Sequence, residues 1–404
     1  RSLMRMRKPF SVCTRSRGRV RPLFVVICIL CFALLPQLSR AQTVELIRDE
    51  RFNEDAVVAI DHLYNLDNRA ASDALYFWRV RYPEHPIWEL WSGMELWWDV
   101  LSDLHDTSND QRFMEQMTKA DHAAANLLRK EPGHADALII RAVASSYIAR
   151  MHANREGWLQ SLQVGRTGYQ AYDQLITVMP DLPDNNFAEG IKKYYSAYIT
   201  ENYPILRSVS RFLPEGDKAA GLAELELASA GGVFTRPEAT YFLAYINLNY
   251  ENRPDRALIH FRTLTEKYPD NGVYSRLYFR ALHQMNRGRE LMSLFDRTVN
   301  GDGGKSNGLD AVTESELYFW AGRSQFSSGS LKYAKELFER SYQIGNRLSD
   351  PDKRAINIMA AYYAGRASER LQETDEARRY YTIVSGQREF TNVRSQARQR
   401  LKQL

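Results

Sequence analysis

At 404 residues, with 44% hydrophobic and 12% aromatic side chains, the chain has ample apolar surface for a buried core, which excludes wholesale disorder. The net charge of +5 misleads. Residues 1–41 hold nine Lys/Arg and no acid, and the remainder carries 45 basic against 49 acidic residues, a net of −4. A nucleic-acid role inferred from the overall charge would rest on that leader alone, so none is expected.

The first 41 residues have three parts. Arg1 to Arg21 is basic, Leu23 to Leu35 is an uncharged apolar run of 13, and Pro36 breaks it before Ser39-Arg40-Ala41. Small residues at −3 and −1 of a cleavage site, behind a short apolar run, are the layout of a secretory signal peptide. A bilayer span needs ~20 residues, so an uncleaved anchor is the weaker alternative. The first residue is not Met, so the expected start is Met4, Met6 or upstream. Cys28 and Cys31 follow Ile27 and Leu30, whereas a lipoprotein site wants a small residue there. All three cysteines, Cys13 included, fall in the leader. The expected mature chain therefore has no disulfide and no thiolate metal site, and it relies on packing for stability. Export without disulfides suits a bacterial periplasm better than an animal extracellular space.

Beyond the leader one pattern recurs. A small residue opens a helix, a large apolar residue follows four later, and another apolar or small residue follows seven later. Ala71, Leu75 and Trp78 begin the series and end at Pro83; Ala120, Ala124 and Leu127 end at Pro132; Gly168, Tyr172 and Leu175 end at Pro180. Gly221, Leu225 and Ala228 follow, then Ala257, Phe261 and Leu264 before Pro269. Leu291, Phe295 and Thr298, then Ala334, Phe338 and Ser341, then Ala377, Tyr381 and Val384 complete it. Each anchor predicts the second helix of a helical hairpin, and the unequal spacing predicts loops or helices extended unit by unit.

The preceding helices carry a matching small face. Tyr241, Ala244, Tyr245 and Leu248 precede Ala257; Tyr318, Ala321, Gly322 and Gln325 precede Ala334; Ala361, Ala364, Gly365 and Ser368 precede Ala377. This pattern resembles the tetratricopeptide repeat. Residues 237–270, 314–342 and 356–385 carry it well, residues 272–299 poorly because Leu291 replaces the usual Ala, and residues 45–232 loosely. The resemblance implies an all-α fold: a right-handed TPR-like α-solenoid of about eight helix pairs. Its expected parts are a signal peptide at 1–41, degenerate extended repeats at 45–232, and TPR-like repeats at 233–404. The last segment places Val393, Ala397, Leu401 and Leu404 on one face and arginines on the other, as a capping helix needs.

Motifs of catalysis are few. Gly301-Asp302-Gly303-Gly304-Lys305-Ser306 lacks the first glycine of a phosphate loop, with Val299 in its place, and reads as an inter-repeat loop. The eight histidines form no HExxH motif or i, i+4 pair, and no GxSxG elbow occurs. No cofactor, metal or enzymatic activity is expected. Trp88, Trp91, Trp97 and Trp98 cluster in one helix and read as a core seam, with one of the adjacent Trp97 and Trp98 the candidate for exposure.

Arg280, Arg323 and Arg366 stand 43 residues apart. The resemblance implies that this position lies on the first helix of a repeat and faces a concave groove. Arg276, Phe242, Asn249, Phe319 and Tyr362 map to other groove positions. Guanidinium groups along a groove suit the carboxylates of an extended peptide. The expected function is an exported, non-enzymatic scaffold or adaptor for protein or peptide partners in the bacterial cell envelope. Membrane association is expected only through partners or an uncleaved anchor. The alternative is a glycan-binding or enzymatic subunit with its site in the Trp- and Tyr-rich half, which also holds Tyr194, Tyr195, Tyr198 and Tyr203.

Overall fold

Pairs of helices follow one another through the described residues of the body Glu45–Leu404. The computed structural model describes residues 43–203, 215–300 and 309–404; the leader and the Gly301–Ser306 loop lie outside them. Every regular element among the described residues is helical. None of these helices is long and apolar enough to cross a membrane.

A 3-10 turn at Leu46–Arg48 leads into the first pair, α1 (Glu50–Tyr64) with α2 (Asn68–Ala74) and α3 (Tyr76–Arg81), a second helix broken at Leu75. The next pairs are α4 (Ile87–Ser102) with α5 (Asp110–Lys130), α6 (Ala135–Asn154) with α7 (Trp158–Val178), and α8 (Asn185–Asn202) with α9 (Lys218–Gly231). Then come α10 (Arg236–Asn249) with α11 (Pro254–Lys267), and α12 (Gly272–Gln284) with α13 (Gly288–Phe295), which runs on into a π turn at Asp296–Asn300. The last pairs are α14 (Ala311–Ser328) with α15 (Leu331–Gly345) and α16 (Ala355–Arg370) with α17 (Thr374–Ser385), and α18 (Val393–Leu401) closes the body.

Local chemistry sets the helix ends. The carboxylates of Asp49, Asp217 and Asp310 accept N–H bonds from Phe52, Ala220 and Thr313, satisfying first-turn donors that have no partner inside the helix. Pro237 and Pro254 sit in first turns, where a missing N–H costs nothing. Gly329 ends α14 at φ +87°, a left-handed conformation that side chains resist.

The repeated anchors decide how the helices of a pair meet. All eight fall in the second helix of their pair and all are buried. The apolar residues four positions on are buried too, from Leu75 to Tyr381. Thr298, in the π turn, is the one residue of the pattern left half-buried. Small residues on the first helix receive the large ones of the second. A Cβ on Gly322 would stand 2.8 Å from the Phe338 ring, and one on Gly365 would stand 3.0 Å from the Tyr381 ring. Each helix packs chiefly on its chain neighbours, as in a stacked helical solenoid.

The stack does not stay open. First helices from distant pairs meet in an aromatic seam on its inner side. Trp98 of α4 lies 5.0 Å from Tyr64 of α1 and 5.8 Å from Tyr274 of α12. Trp97 packs on Phe113 and Tyr147, each 5.3 Å away. Arg150 of α6 stands over Trp97, Tyr241 and Phe242, at 4.8, 5.3 and 5.1 Å, and donates to Glu238 of α10 at 2.8 Å. Glu238 also accepts the Tyr64 hydroxyl at 2.6 Å, which joins the first, third and fifth pairs at one carboxylate. Burial, reinforced by the Glu238 charge, holds the Tyr64 hydroxyl well above its ordinary pKa, so it stays a donor. Nearby, Asn271 donates to the Tyr64 carbonyl and Tyr268 to Asp61.

This return of the chain bears out the reading of the four tryptophans as a core seam and removes Trp97 and Trp98 as candidates for exposure. Trp88, Trp91, Trp97 and Trp98 are all buried, Trp97 at 1% exposure. Adjacent residues point about 100° apart, but α4 has neighbours on both sides: α5 and α6 beyond Trp97, α1 and α12 beyond Trp98. A helix apolar all round is stable only when enclosed in this way. Each large aromatic removes roughly 200 Å² from water, worth about 5 kcal/mol at 25 cal/mol per Å², so ring burial outweighs the ion pair as the driving term.

The pair nonetheless has a direction of failure. Glu238→Ala strands Arg150 among rings and removes the Tyr64 acceptor. We expect it to lower unfolding free energy in urea titrations by about 2–3 kcal/mol, at or just below the ~3–5 kcal/mol of a fully buried pair, because both side chains keep some exposure. Replacing the whole pair, Arg150→Met with Glu238→Gln, keeps the volume and leaves no stranded charge, and is expected to cost less than half of that.

Candidate functional site

The arginines singled out in the sequence lie on the first helices of the last three pairs. On α12, Arg276, Arg280 and His283 follow one another at four and three residues; on α14, Glu316, Trp320 and Arg323 do the same; on α16, Tyr363, Arg366 and Arg370 follow at three and four. That spacing lays each set along one stripe of its helix.

Toward the helix N-termini the stripes are neutralised. Arg276, 9% exposed, brings Nη1 to 3.5 Å from Glu316 Oε1. Burial raises the Glu316 carboxyl above its ordinary pKa, against the pull of Arg276 and Arg280. Toward the C-termini no such partner appears. The Arg323 guanidinium carbon sits 4.2 Å from the centre of the Tyr363 ring and 5.8 Å from Phe319. Arg366 and Arg370 stand 6.0 and 5.0 Å from the Phe326 ring, which lies 5.8 Å from Tyr363. Among the described residues, no carboxylate lies within ion-pair distance of Arg280, Arg323, Arg366 or Arg370, and Arg323 is held by burial below the usual guanidinium pKa. Trp320 Nε1 and Arg366 Nε are buried with no acceptor among the described residues. The arrangement is a cluster of donors and positive charge lying on rings, and what it can do chemically is take an anion.

The other sequence candidates divide. Phe319 is fully buried and Tyr362 is 2% exposed, so both are core residues rather than open surface. Tyr362 still shapes the site: its hydroxyl donates to Gln396 of α18 at 2.7 Å and accepts from Arg366 Nη1 at 3.3 Å. Phe242 belongs to the aromatic seam beneath Arg150, and Asn249 bonds the Tyr245 carbonyl of its own helix. Glu316, Trp320, Phe326, Tyr363 and Arg370 were not singled out in the sequence, although their three- and four-residue offsets from the arginines were visible.

The Trp- and Tyr-rich half offers a different picture. Tyr194 is fully buried and donates to Glu251 at 2.6 Å. Tyr198 stacks 4.4 Å from Tyr250, Tyr195 lies 6.3 Å from the same ring, and Tyr203 meets Trp158 at 5.3 Å. A His–acid pair is present: His85 Nε2 stands 3.2 Å from Asp136 Oδ2. Both partners are tied to backbone, with Asp136 accepting from the Leu46 and Ile47 amides and His85 Nδ1 accepting from the Ile87 amide at 3.2 Å. The pair fastens the first turn of the body to α6. A cleft of about 310 Å³ between α5, α6 and α7 is lined by Met114, Ile148, His152 and Asp121, the last engaged by Arg141 at 3.4 Å.

His283 reports on the arginine cluster. Its ring lies 5.4 Å from Trp320, and burial, with the Arg323 charge adding, pushes its pKa down to about 4. The unfolded chain takes up this proton near pH 6.5 while the folded chain does not until about pH 4. Its contribution to stability is therefore complete above about pH 6.5 and falls as pH drops toward 4. We expect the His283 ring carbons in NMR to titrate with a midpoint near 4, and His283→Asn to flatten the fall in stability between pH 6.5 and 4 relative to wild type.

No protein-family model matches the chain, and a comparison with curated proteins finds no match.

Proposed function

We propose that this chain is an exported, non-enzymatic scaffold or adaptor of tetratricopeptide-like, right-handed build. It binds acidic protein or peptide segments in the bacterial cell envelope. The observation that carries the reading is the set Arg323, Arg366 and Trp320: two guanidinium groups on aromatic rings without a carboxylate partner, beside a buried indole N–H without an acceptor. A desolvated cation without a counter-charge is costly, and a partner carboxylate that supplies one gains a charge-assisted bond in return. The leader supports export, and the resemblance of residues 237–270, 314–342 and 356–385 to tetratricopeptide repeats supports recognition of a peptide by the first-helix faces.

The test uses a fluorescent Glu-rich peptide and its Gln-substituted counterpart, read by anisotropy. The wild-type chain is expected to prefer the Glu peptide and to lose it as salt rises. The double variant Arg323→Glu, Arg366→Glu is expected to bind it at least ~tenfold more weakly, the scale of two lost charge-assisted contacts. Arg347→Glu, an exposed arginine outside these stripes, is the control expected to change nothing. Equal binding of the two peptides by the wild type would end the reading.

A further inference from the structure

The chain also supplies carboxylates to its own arginines. The segment between α4 and α5 reads Asp103-Leu104-His105-Asp106-Thr107-Ser108-Asn109, followed by Asp110. Asp103 is held from both sides by Arg354, 251 residues away, at 2.9 Å (Nη1 to Oδ1) and 2.7 Å (Nη2 to Oδ2). Arg354, at the N-cap of α16, is 5% exposed, and it also donates to the Ser349 carbonyl and hydroxyl. The Asp103 charge is felt at Glu316, the carboxylate that neutralises Arg276. Asp103 and Glu316 thus serve the N-terminal ends of the arginine-bearing helices, while Arg323 and Arg366, nearer the C-terminal ends, have no carboxylate. Arg155 holds the segment at both ends: it binds Asp110 at 2.6 and 2.8 Å and the Leu104 carbonyl, next to Asp103, at 2.7 Å.

We propose that residues 103–109 form an acidic strap, a built-in competitor for the surface that an acidic partner uses. The inference rests on the function proposed above. Asp103 presents to Arg354 the two-pronged contact that a partner carboxylate would make. Exchanging one Arg–carboxylate pair for another of like geometry leaves desolvation nearly unchanged, so displacement is driven by the further contacts a long partner makes along the arginine stripes. Because Arg155 keeps both the Leu104 carbonyl and Asp110, release turns the Asp103 side chain away from Arg354 while α4 and α5 stay folded. A partner long enough to reach from Arg323 and Arg366 to the N-cap of α16 displaces the strap; a short one does not.

The experiment uses the full chain and a long Glu-rich peptide, with affinity read by anisotropy and the strap read by amide hydrogen exchange. Asp103→Asn removes the internal carboxylate and frees Arg354; affinity is expected to rise about tenfold, the scale of one added bidentate contact. Arg354→Gln releases the strap without offering a cation; exchange over 103–109 is expected to rise with no gain in affinity. A contact that only stabilises the fold would move both variants the same way. In the wild type, saturating peptide is expected to speed exchange over 103–109. Wild-type binding that Asp103→Asn leaves unchanged would overturn the strap and leave the function standing. Binding by Asp103→Asn but not by wild type would establish the strap as a complete block, and binding by neither would overturn both.

Discussion

The aromatic seam that closes the fold is organised around one cation. Arg150 reaches from α6 into a space walled by Trp97, Tyr241 and Phe242, and it meets a single carboxylate, Glu238, that also takes the Tyr64 hydroxyl. Ordinary stacked helical pairs touch only their neighbours, so stability adds up along the stack and the ends can fray separately. Here the first, third and fifth pairs share one hydrogen-bonded group, and α4 bridges from Tyr64 to Tyr274 through Trp98. The array is therefore coupled across long sequence separations. Ordering those segments costs chain entropy that local hairpins avoid, and the burial of several large rings in one seam is what offsets it.

That closure has a consequence for recognition. First-helix faces that an open array would offer to partners are occupied, in the earlier pairs, by the chain's own side chains. Phe242 shows the change most directly: it lies on a first helix, at a position where the repeat resemblance implies contact with ligand, and it contacts Arg150 instead. What remains is the stripe on α12, α14 and α16, where charge is graded. Arg276 has Glu316 and Arg354 has Asp103, whereas Arg323 and Arg366 have rings. Part of the cost of leaving them unpaired is met locally. Arg366 and Arg370 lie in the last two turns of α16, where the carbonyl ends of the helix favour positive charge by up to ~1 kcal/mol. The dipole explains why cations are tolerated there; it leaves the buried Trp320 Nε1 and Arg366 Nε without acceptors.

The helical pairs were legible from sequence because their determinants are local. A small residue such as Ala334 or Ala377 beginning a helix, with Phe338 or Tyr381 four positions on, states which face turns inward, and Gly322 and Gly365 on the partner helix state where the ring goes. Long-range closure has no such signature. Trp97 and Trp98 are both buried because α1 and α12 cover the second of them, and Asp103 meets Arg354 across 251 residues. On the first helices the difficulty is finer. Core and outer stripes are one residue apart, so a motif aligned by its small residues cannot separate Tyr362, which is core, from Tyr363, on which Arg323 lies.

The choice of arginine over lysine follows from that neighbour. The Arg323 guanidinium carbon lies 4.2 Å from the centre of the Tyr363 ring, where a delocalised cation meets the ring electrons and still has N–H donors to offer. An ammonium in the same place would spend its one compact charge on the ring and keep no fork of donors. The ring contact also limits the rotamers of a long side chain, so less entropy remains to be lost when an anion arrives. A planar acceptor with two oxygens matches such a fork best, and the Asp103–Arg354 contact displays that match within the same molecule. For the ligand proposed above, the rings would act indirectly: lying beside Arg323 and Arg366, they leave guanidinium forks that suit a two-oxygen carboxylate better than a diffuse or spherical anion.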